Sequence, residues 1–278
     1  MDIKILFSDL DGTLVAHAGD VNQETIDATK KLRDNGIDLV LISGRHTDMM
    51  KSIHYNLELE TPAIGCNGGF IKDLNSKKVL YINELPEKTV KESIDIARHL
   101  DIDWVVYEQN NIFFEKNPPE SYQIPYTNLE LPEHLRANFV KVNSLDEIFN
   151  KGYKFVKTLM LFDRRPELVE KGKNLLGKLE NIDILVSTYT YLDVMVKGTS
   201  KGTAIKKYIE DLNIKKENIA SIGDAGNDID MIEYAGFGIA MGNAMEKVKK
   251  VANYQTSEYP CGFKDAVEYL ISQKQKRG

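Results

Sequence analysis

The sequence predicts an α/β fold in which a parallel sheet carries an inserted α+β unit. Three observations lead there. Short apolar runs alternate with helix-length amphipathic segments toward both ends of the chain, the order that builds a parallel sheet. Between residues 83 and 189 that rhythm gives way to hairpins and a proline-rich stretch. The chain has 278 residues, room for two domains at ~150 residues each. We therefore expect one domain from 1–82 together with 190–278, and a second from 83–189.

Residues 3–8 (Ile-Lys-Ile-Leu-Phe-Ser) read as a short buried strand. A helix follows over 22–35, with Asn22 placed to cap its start and Asn35-Gly36 to stop it. The apolar run 37–42 is a second strand, 46–56 a second helix and 62–66 a third strand. Gly68-Gly69 breaks the pattern, and 70–74 and 77–82 flank Asn75-Ser76 as a hairpin. Inside the insertion the pattern gives a helix over 86–100 and paired strands at 104–107 and 112–115. Residues 117–132 hold four of the eight prolines and read as loop. A strand at 154–162, a helix at 165–180 and a strand at 182–187 complete the insertion. The parallel rhythm then resumes, with strands at 192–196, 219–222 and 237–240 and helices at 201–212, 227–234 and 262–273. Residues 274–278 read as a frayed basic end.

Composition narrows the function classes. Hydrophobic residues make up 42% and charged residues 28%, as in a globular protein. A chain of this size buries about three quarters of its surface on folding, so it needs no staples. Its two cysteines, Cys66 and Cys261, provide no disulfide framework and fit a reducing compartment. The net charge of −6 argues against nucleic acid as a general partner, since phosphate neutralisation needs a basic surface. The apolar runs fall far below the ~18 residues of a membrane span. The first residues include Asp2, Asp9 and Asp11 and lack a secretory pattern. The expectation is a cytoplasmic chain with no membrane partner, a monomer or small homo-oligomer.

Four polar clusters sit where chemistry would. Asp9-Leu10-Asp11-Gly12-Thr13 follows the first strand, and ligands of open parallel sheets bind beyond the carboxyl ends of the strands. Two carboxylates this close invite a divalent cation, and Mg²⁺ suits hard oxygen ligands; a plain strand-to-loop turn uses the same residue types. Ser43-Gly44-Arg45 ends the second strand and suits either a phosphate oxygen or a helix cap. Lys201 opens a helix, where anions are favoured and a lysine is not. Either it is a solvated surface residue, or lysine and helix end face one phosphate. Gly223-Asp224-Ala225-Gly226-Asn227-Asp228 lies between a strand and a helix and offers two more carboxylates and an amide, or simply a turn.

The combination resembles the haloacid dehalogenase-like phosphohydrolase superfamily. Asp9-Leu10-Asp11-Gly12-Thr13 matches its paired-aspartate motif, Ser43 its hydroxyl motif, Lys201 its lysine motif and Gly223 to Asp228 its Gly-Asp-x-x-Asn-Asp motif. The order and spacing resemble the Cof-type subfamily with a type IIB cap, as do Cys66-Asn67-Gly68-Gly69 and Gly198-Thr199-Ser200-Lys201-Gly202. The resemblance spans essentially the whole chain and implies a Rossmann-like core with an inserted cap that sets substrate specificity. It implies a Mg²⁺-dependent phosphatase acting on a small phosphorylated metabolite. Asp9 would be nucleophile and metal ligand. Asp11 would be general acid and base, reaching the metal through its backbone carbonyl. Asp224 would be the third ligand. Leu10, Ser43, Gly44, Lys201 and Asn227 would hold the phosphate, with Asp228, Asn67 and Arg45 in support. Two departures stand out: Ala225 where Gly or Ser is frequent, and Pro260-Cys261 where an acidic residue usually precedes the glycine.

Phosphoryl transfer asks chiefly for positioning and charge neutralisation, which these residue types supply. The same aspartyl phosphate would also serve a phosphomutase or phosphotransferase. A non-catalytic phosphometabolite-binding protein is a third reading, and the presence of both Asp9 and Asp11 argues against it. His17, His46, His54, His99 and His134 share no spacing and read as non-catalytic. Tyr122, Tyr126, Tyr189 and Tyr191 read as packing residues of the insertion, or as lining for its ligand.

Overall fold

The computed structural model describes residues 1–16, 19–120 and 122–275; His17 and residues 276–278 of the basic end lie outside them. The chain divides into two units, residues 1–78 with 200–278, and residues 79–199. The first unit begins with β1 (Ile5–Ser8), α1 (Gln23–Asp34), β2 (Asp38–Leu41), α2 (Lys51–Asn56), β3 (Ala63–Gly65) and β4 (Phe70–Lys72). The second unit holds β5 (Val79–Ile82), α3 (Glu87–Leu100), β6 (Asp103–Glu108), β7 (Ile112–Phe114), α4 (Ile124–Glu130) and β8 (Phe139–Lys141), then β9 (Phe155–Leu161), α5 (Val169–Leu176), β10 (Ile182–Thr188) and β11 (Tyr191–Val196). The chain returns to the first unit with α6 (Lys201–Asp211), β12 (Ile219–Gly223), α7 (Ile229–Tyr234), β13 (Phe237–Ala240), α8 (Glu246–Lys249), β14 (Tyr254–Gln255) and α9 (Gly262–Gln275). Among the described residues, no helix is long and apolar enough to cross a membrane.

The first unit is built on a fully parallel sheet, in the order β14-β13-β12-β1-β2. All residues of β1 and β12 are buried, which is why these strands read as unbroken apolar runs rather than alternating ones. From β1 the chain steps to β2 on one side and later returns to β12 on the other. The direction of winding reverses at β1, and a crevice opens there at the strands' carboxyl ends. Helix α1 starts where Asn22 suggests. Asn22 Oδ1 accepts the Thr25 N–H at 2.9 Å to cap α1, and Ser200 caps α6 by accepting the Thr203 N–H.

The second unit has a six-stranded sheet in the order β10-β11-β9-β6-β7-β8, antiparallel except for β7 with β8. Helices α3 and α5 pack on one face, where Val90, Ile94, Trp104, Val106, Phe155, Met160, Leu192 and Val194 join one apolar core.

Three expectations need correction. The strand at 192–196 does not belong to the parallel sheet: β11 pairs antiparallel with β10 and β9. An apolar run alone does not name its partner, and the nearest one here is the strand that ends just before a tight turn. With β11, the second unit runs from 79 to 199 rather than from 83 to 189. The stretch 117–132 is not all loop, because Ile124-Pro125 opens α4; proline is tolerated in a first turn, where its missing N–H is not needed. The helix at 46–56 divides into a 3₁₀ turn, Thr47–Met50, and α2. The elements β8, α8 and β14 span three, four and two residues, too short for periodicity to show.

Gly68 sits at φ +100, and a Cβ added there would overlap the Ser200 carbonyl oxygen just ahead of α6. Both atoms in the clash are backbone-fixed. Gly68→Ala should therefore destabilise the fold by about 2–4 kcal/mol, seen as a drop of several degrees in the unfolding midpoint. An unchanged midpoint would contradict this packing.

Candidate active site

Three strand ends and one helix start meet in the first unit. β1 ends at Ser8 and places Asp9 at the carboxyl edge, where the Asp9 N–H donates to the Ile222 carbonyl at 3.0 Å. β12 ends at Gly223 and delivers Asp224 beside it. Asp228 follows one turn later and is fully buried. α6 begins with Lys201, also fully buried.

The Lys201 ammonium lies 2.5 Å from Asp9 Oδ1 and 2.6 Å from Asp228 Oδ1. The surface-lysine reading of this residue is thereby excluded. The second Asp228 oxygen accepts the backbone N–H groups of Asp224 and Ala225 at 3.0 and 2.9 Å, so Asp228 ties the loop after β12 to the lysine. Asp224 Oδ1 accepts the Thr13 hydroxyl at 2.9 Å.

Three carboxylates share one ammonium, and the electrostatics show the imbalance. Burial, then Asp228 and Asp224, push Asp9 well above the usual carboxylate range against the pull of Lys201. Burial and Asp228 push Asp224 up to about 6, with the Thr13 hydrogen bond opposing. Burial alone would lower Lys201, but Asp228 and Asp9 outweigh it and hold the ammonium above its ordinary range. Oxygens of Asp9, Asp224 and Asp228 lie within 4.8 Å of one another, close enough to hold a metal ion. The all-oxygen donor set and the excess negative charge fit a hard divalent cation. Since both Asp228 oxygens already accept hydrogen bonds, Asp9 and Asp224 are the carboxylates available to it.

Asp11 points elsewhere. Arg45 Nε and one terminal nitrogen donate to its two oxygens at 2.9 and 2.5 Å, a forked pair. Arg45 thus meets an acid rather than opening toward solvent. Ser43 is buried, and its hydroxyl accepts the Arg45 N–H at 3.2 Å; it does not cap the helical segment that follows, which starts at Thr47 with His46 as its cap. The Asn67 N–H donates to the Ser43 carbonyl at 2.9 Å, and Asn67 Oδ1 accepts from the Asn227 amide at 3.0 Å. A Cβ on Gly44 would come within 3.1 Å of Asn67 Oδ1. Ser43, Gly44, Asn67 and Asn227 therefore form one polar rim. The Leu10 side chain is fully buried, and its carbonyl takes the N–H groups of Thr13, Leu14 and Val15.

Sequence reasoning passed over three residues of this site. Thr13 lies inside the first motif but went without a role. Asp230 Oδ2 accepts the Gly202 N–H at 2.8 Å and so fixes the start of the Lys201 helix. The Asn243 amide donates to the Gly12 carbonyl at 2.8 Å and its oxygen accepts the Tyr259 N–H at 3.0 Å. No local signal marks Asn243, since its partner is 231 positions away. Buried His46 and His54 serve the fold: Nδ1 of His46 accepts the Asp48 N–H, and Nε2 of His54 bonds the Thr61 carbonyl. Cys66 is buried.

A family model described as haloacid dehalogenase-like hydrolase matches residues 6–261. The chain is 31% identical over 255 residues to pyridoxal phosphate phosphatase YbhA of Escherichia coli (strain K12), covering 91% of this chain and 93% of that protein. A haloacid dehalogenase-like hydrolase from Bacteroides thetaiotaomicron superposes with a TM-score of 0.85 at 26% identity, over 96% of this chain and 99% of its own. A sugar phosphatase of subclass IIB superposes with a TM-score of 0.78 at 26% identity, over 96% of this chain and 98% of its own. A match of that length on the same fold places the chain in the haloacid dehalogenase-like hydrolase family, as one of its phosphatases.

Proposed function

We infer that the chain is a Mg²⁺-dependent phosphatase that hydrolyses small phosphate monoesters, sugar phosphates or similar metabolites, through an aspartyl phosphate on Asp9. The observation that carries this reading is the buried Asp9 carboxylate at the end of β1, 2.5 Å from the Lys201 ammonium, with Asp11 two residues on. The relative named for pyridoxal phosphate supports a small phosphorylated metabolite as substrate.

An Asp9 oxygen attacks phosphorus, and the ester P–O bond breaks as Asp11 gives its proton to the departing oxygen. Water then attacks the phosphorus of the aspartyl phosphate and gives a proton to Asp11, and the bond from phosphorus to Asp9 breaks. For these transfers an Asp11 oxygen must leave Arg45. Lys201 places fixed positive charge where the phosphoryl oxygens carry it in the transition state. Ser43, Asn227 and the backbone N–H groups of Leu10 and Gly44 orient the remaining oxygens, with Asn67 and Arg45 in support. Asp9, Asp224 and the Asp11 carbonyl would hold Mg²⁺, which supplies further charge neutralisation. Asp228 keeps Lys201 and the Asp224 loop in place.

Asp9→Asn keeps the shape and removes the nucleophile. Its turnover should fall below a hundredth of the wild-type rate, with an unchanged circular dichroism spectrum; a tenth of the wild-type rate would remove Asp9 from that role. Exhaustive chelation should abolish hydrolysis and added Mg²⁺ restore it. Ca²⁺ should restore it poorly, because it takes more ligands at longer distances. Full turnover after chelation would overturn the metal assignment.

Asp11→Asn separates the acid from the nucleophile. With nitrophenyl phosphate, whose leaving group needs little protonation, we expect a burst of at most one equivalent, then slow turnover with phosphate retained on Asp9. Alkyl phosphates should slow by about 10²–10⁴-fold at the first step. Equal slowing of both esters without trapped phosphoenzyme would count against Asp11 as the acid and base.

A further inference from the structure

The oxygens expected to hold the cation come from two loops of the first unit, after β1 and after β12, and one side chain outside both loops joins them. β13 ends at Ala240, and residues 241–245 form a turn beside the loop after β12. The Met241 N–H donates to the Gly223 carbonyl at 3.1 Å, and the Met245 N–H to the Asp224 carbonyl at 2.9 Å. The Gly242 N–H donates to the Ser257 carbonyl at 3.0 Å. Between these anchors stands Asn243. Its amide donates to the Gly12 carbonyl at 2.8 Å, and its oxygen accepts the Tyr259 N–H at 3.0 Å. An amide can fill both roles at once, which a single hydroxyl cannot at that span. Gly12 in turn packs against Asp224: its φ is +85, and a Cβ there would come within 2.6 Å of Asp224 Oδ2. The next residue, Thr13, donates its hydroxyl to Asp224 Oδ1 at 2.9 Å. The peptide before Gly12 carries the Asp11 carbonyl. Any shift of the Gly12 turn therefore moves the Asp11 carbonyl and the Thr13 hydroxyl together, and Asp224 with them. Asn243 itself is exposed, so its hydrogen bonds fix loops rather than fill the core.

We propose that Asn243 is a positioning residue for the cation: by holding the Gly12 turn against the Asp224 loop, it fixes the spacing of the ligand oxygens and so favours Mg²⁺ over a larger divalent ion. This rests on the Mg²⁺ reading above and adds a source of selectivity to it. Mg²⁺ demands near-ideal octahedral geometry at ~2.0–2.1 Å, whereas Ca²⁺ accepts more ligands at ~2.3–2.6 Å in flexible arrangements. Loosening the Gly12 turn should therefore cost Mg²⁺ affinity far more than Ca²⁺ affinity. Partners that orient metal ligands without touching the metal typically contribute about 10–100-fold in affinity.

Metal binding without substrate tests this. The Kd of Mn²⁺ is measured for each protein by electron paramagnetic resonance, and Mg²⁺ and Ca²⁺ are then titrated as competitors. Asn243→Ala should raise the Mg²⁺ Kd about tenfold or more and the Ca²⁺ Kd by no more than about threefold. Its unfolding midpoint should stay within a few degrees of the wild type. If that variant does not fold, Asn243→Gln keeps the amide but displaces it by one methylene, and should still raise the Mg²⁺ Kd at least about threefold. An unchanged Mg²⁺ Kd would overturn the proposal. Equal weakening of both cations would overturn it too, because a loosened fold alone gives that result. A wild type that binds none of the three ions would remove the metal assignment and the proposal together. A wild type that binds Mg²⁺ but hydrolyses no ester would sink the phosphatase reading alone, and the Kd ratios would still decide the role of Asn243.

Discussion

One buried ammonium organises the first unit. Lys201 has no exposed surface, and its charge is shared between Asp9, from the first strand of the chain, and Asp228, from the loop after β12. Each carboxylate supplies part of the counter-charge that a buried ammonium needs. Helix α6 therefore cannot slide along the sheet without breaking both contacts. Its start is fixed a second time by Asp230, which accepts the Gly202 N–H, an anion where a helix N-terminus favours one. The placement of a lysine in that first turn, unfavourable by itself, is compensated by three nearby acids.

The four aspartates of the site are chemically alike and are separated by environment. Asp228 has both oxygens engaged, one by Lys201 and one by two backbone N–H groups, and acts as a brace. Asp224 is oriented by Thr13 and raised by burial. Asp9 meets the lysine directly. Asp11, two residues away on a backbone that turns at Gly12, is drawn off by Arg45 instead. The excess of negative charge around Lys201 is what makes a divalent cation physically reasonable there.

The sheet of the second unit carries an apolar core on one face and a buried ion pair on the other. Its apolar face is covered by α3 and α5 and closes a core of its own. Its other face keeps Lys157 and Asp193 paired beside Tyr107. Period-two alternation allows this, because adjacent residues such as Lys157 and Thr158 point to opposite sides.

Much of the fold was legible in the residues. Apolar runs located β1, β2, β9 and β12 within a residue or two, and Asn22 and Asn35-Gly36 marked where α1 starts and stops. The motifs Asp9 to Thr13, Ser43 to Arg45, Lys201 and Gly223 to Asp228 could be singled out because each combines a strand end or helix start with polar residues in a fixed local spacing. Local spacing also fails in known ways. It could not tell that β11 pairs with β10 and β9, because strand pairing depends on which edges meet and not on the run itself. It could not show that Arg45 turns to Asp11, that Asp228 braces Lys201, or that Asn243 reaches Gly12, because each contact joins residues brought together only when the sheet forms. The residue types at the strand ends are readable along the chain, since hydrophobic period and turn chemistry are local properties. The folded chain adds which carboxylate meets the lysine, which is braced and which is drawn away, since burial and the distance to a counter-charge arise only on folding.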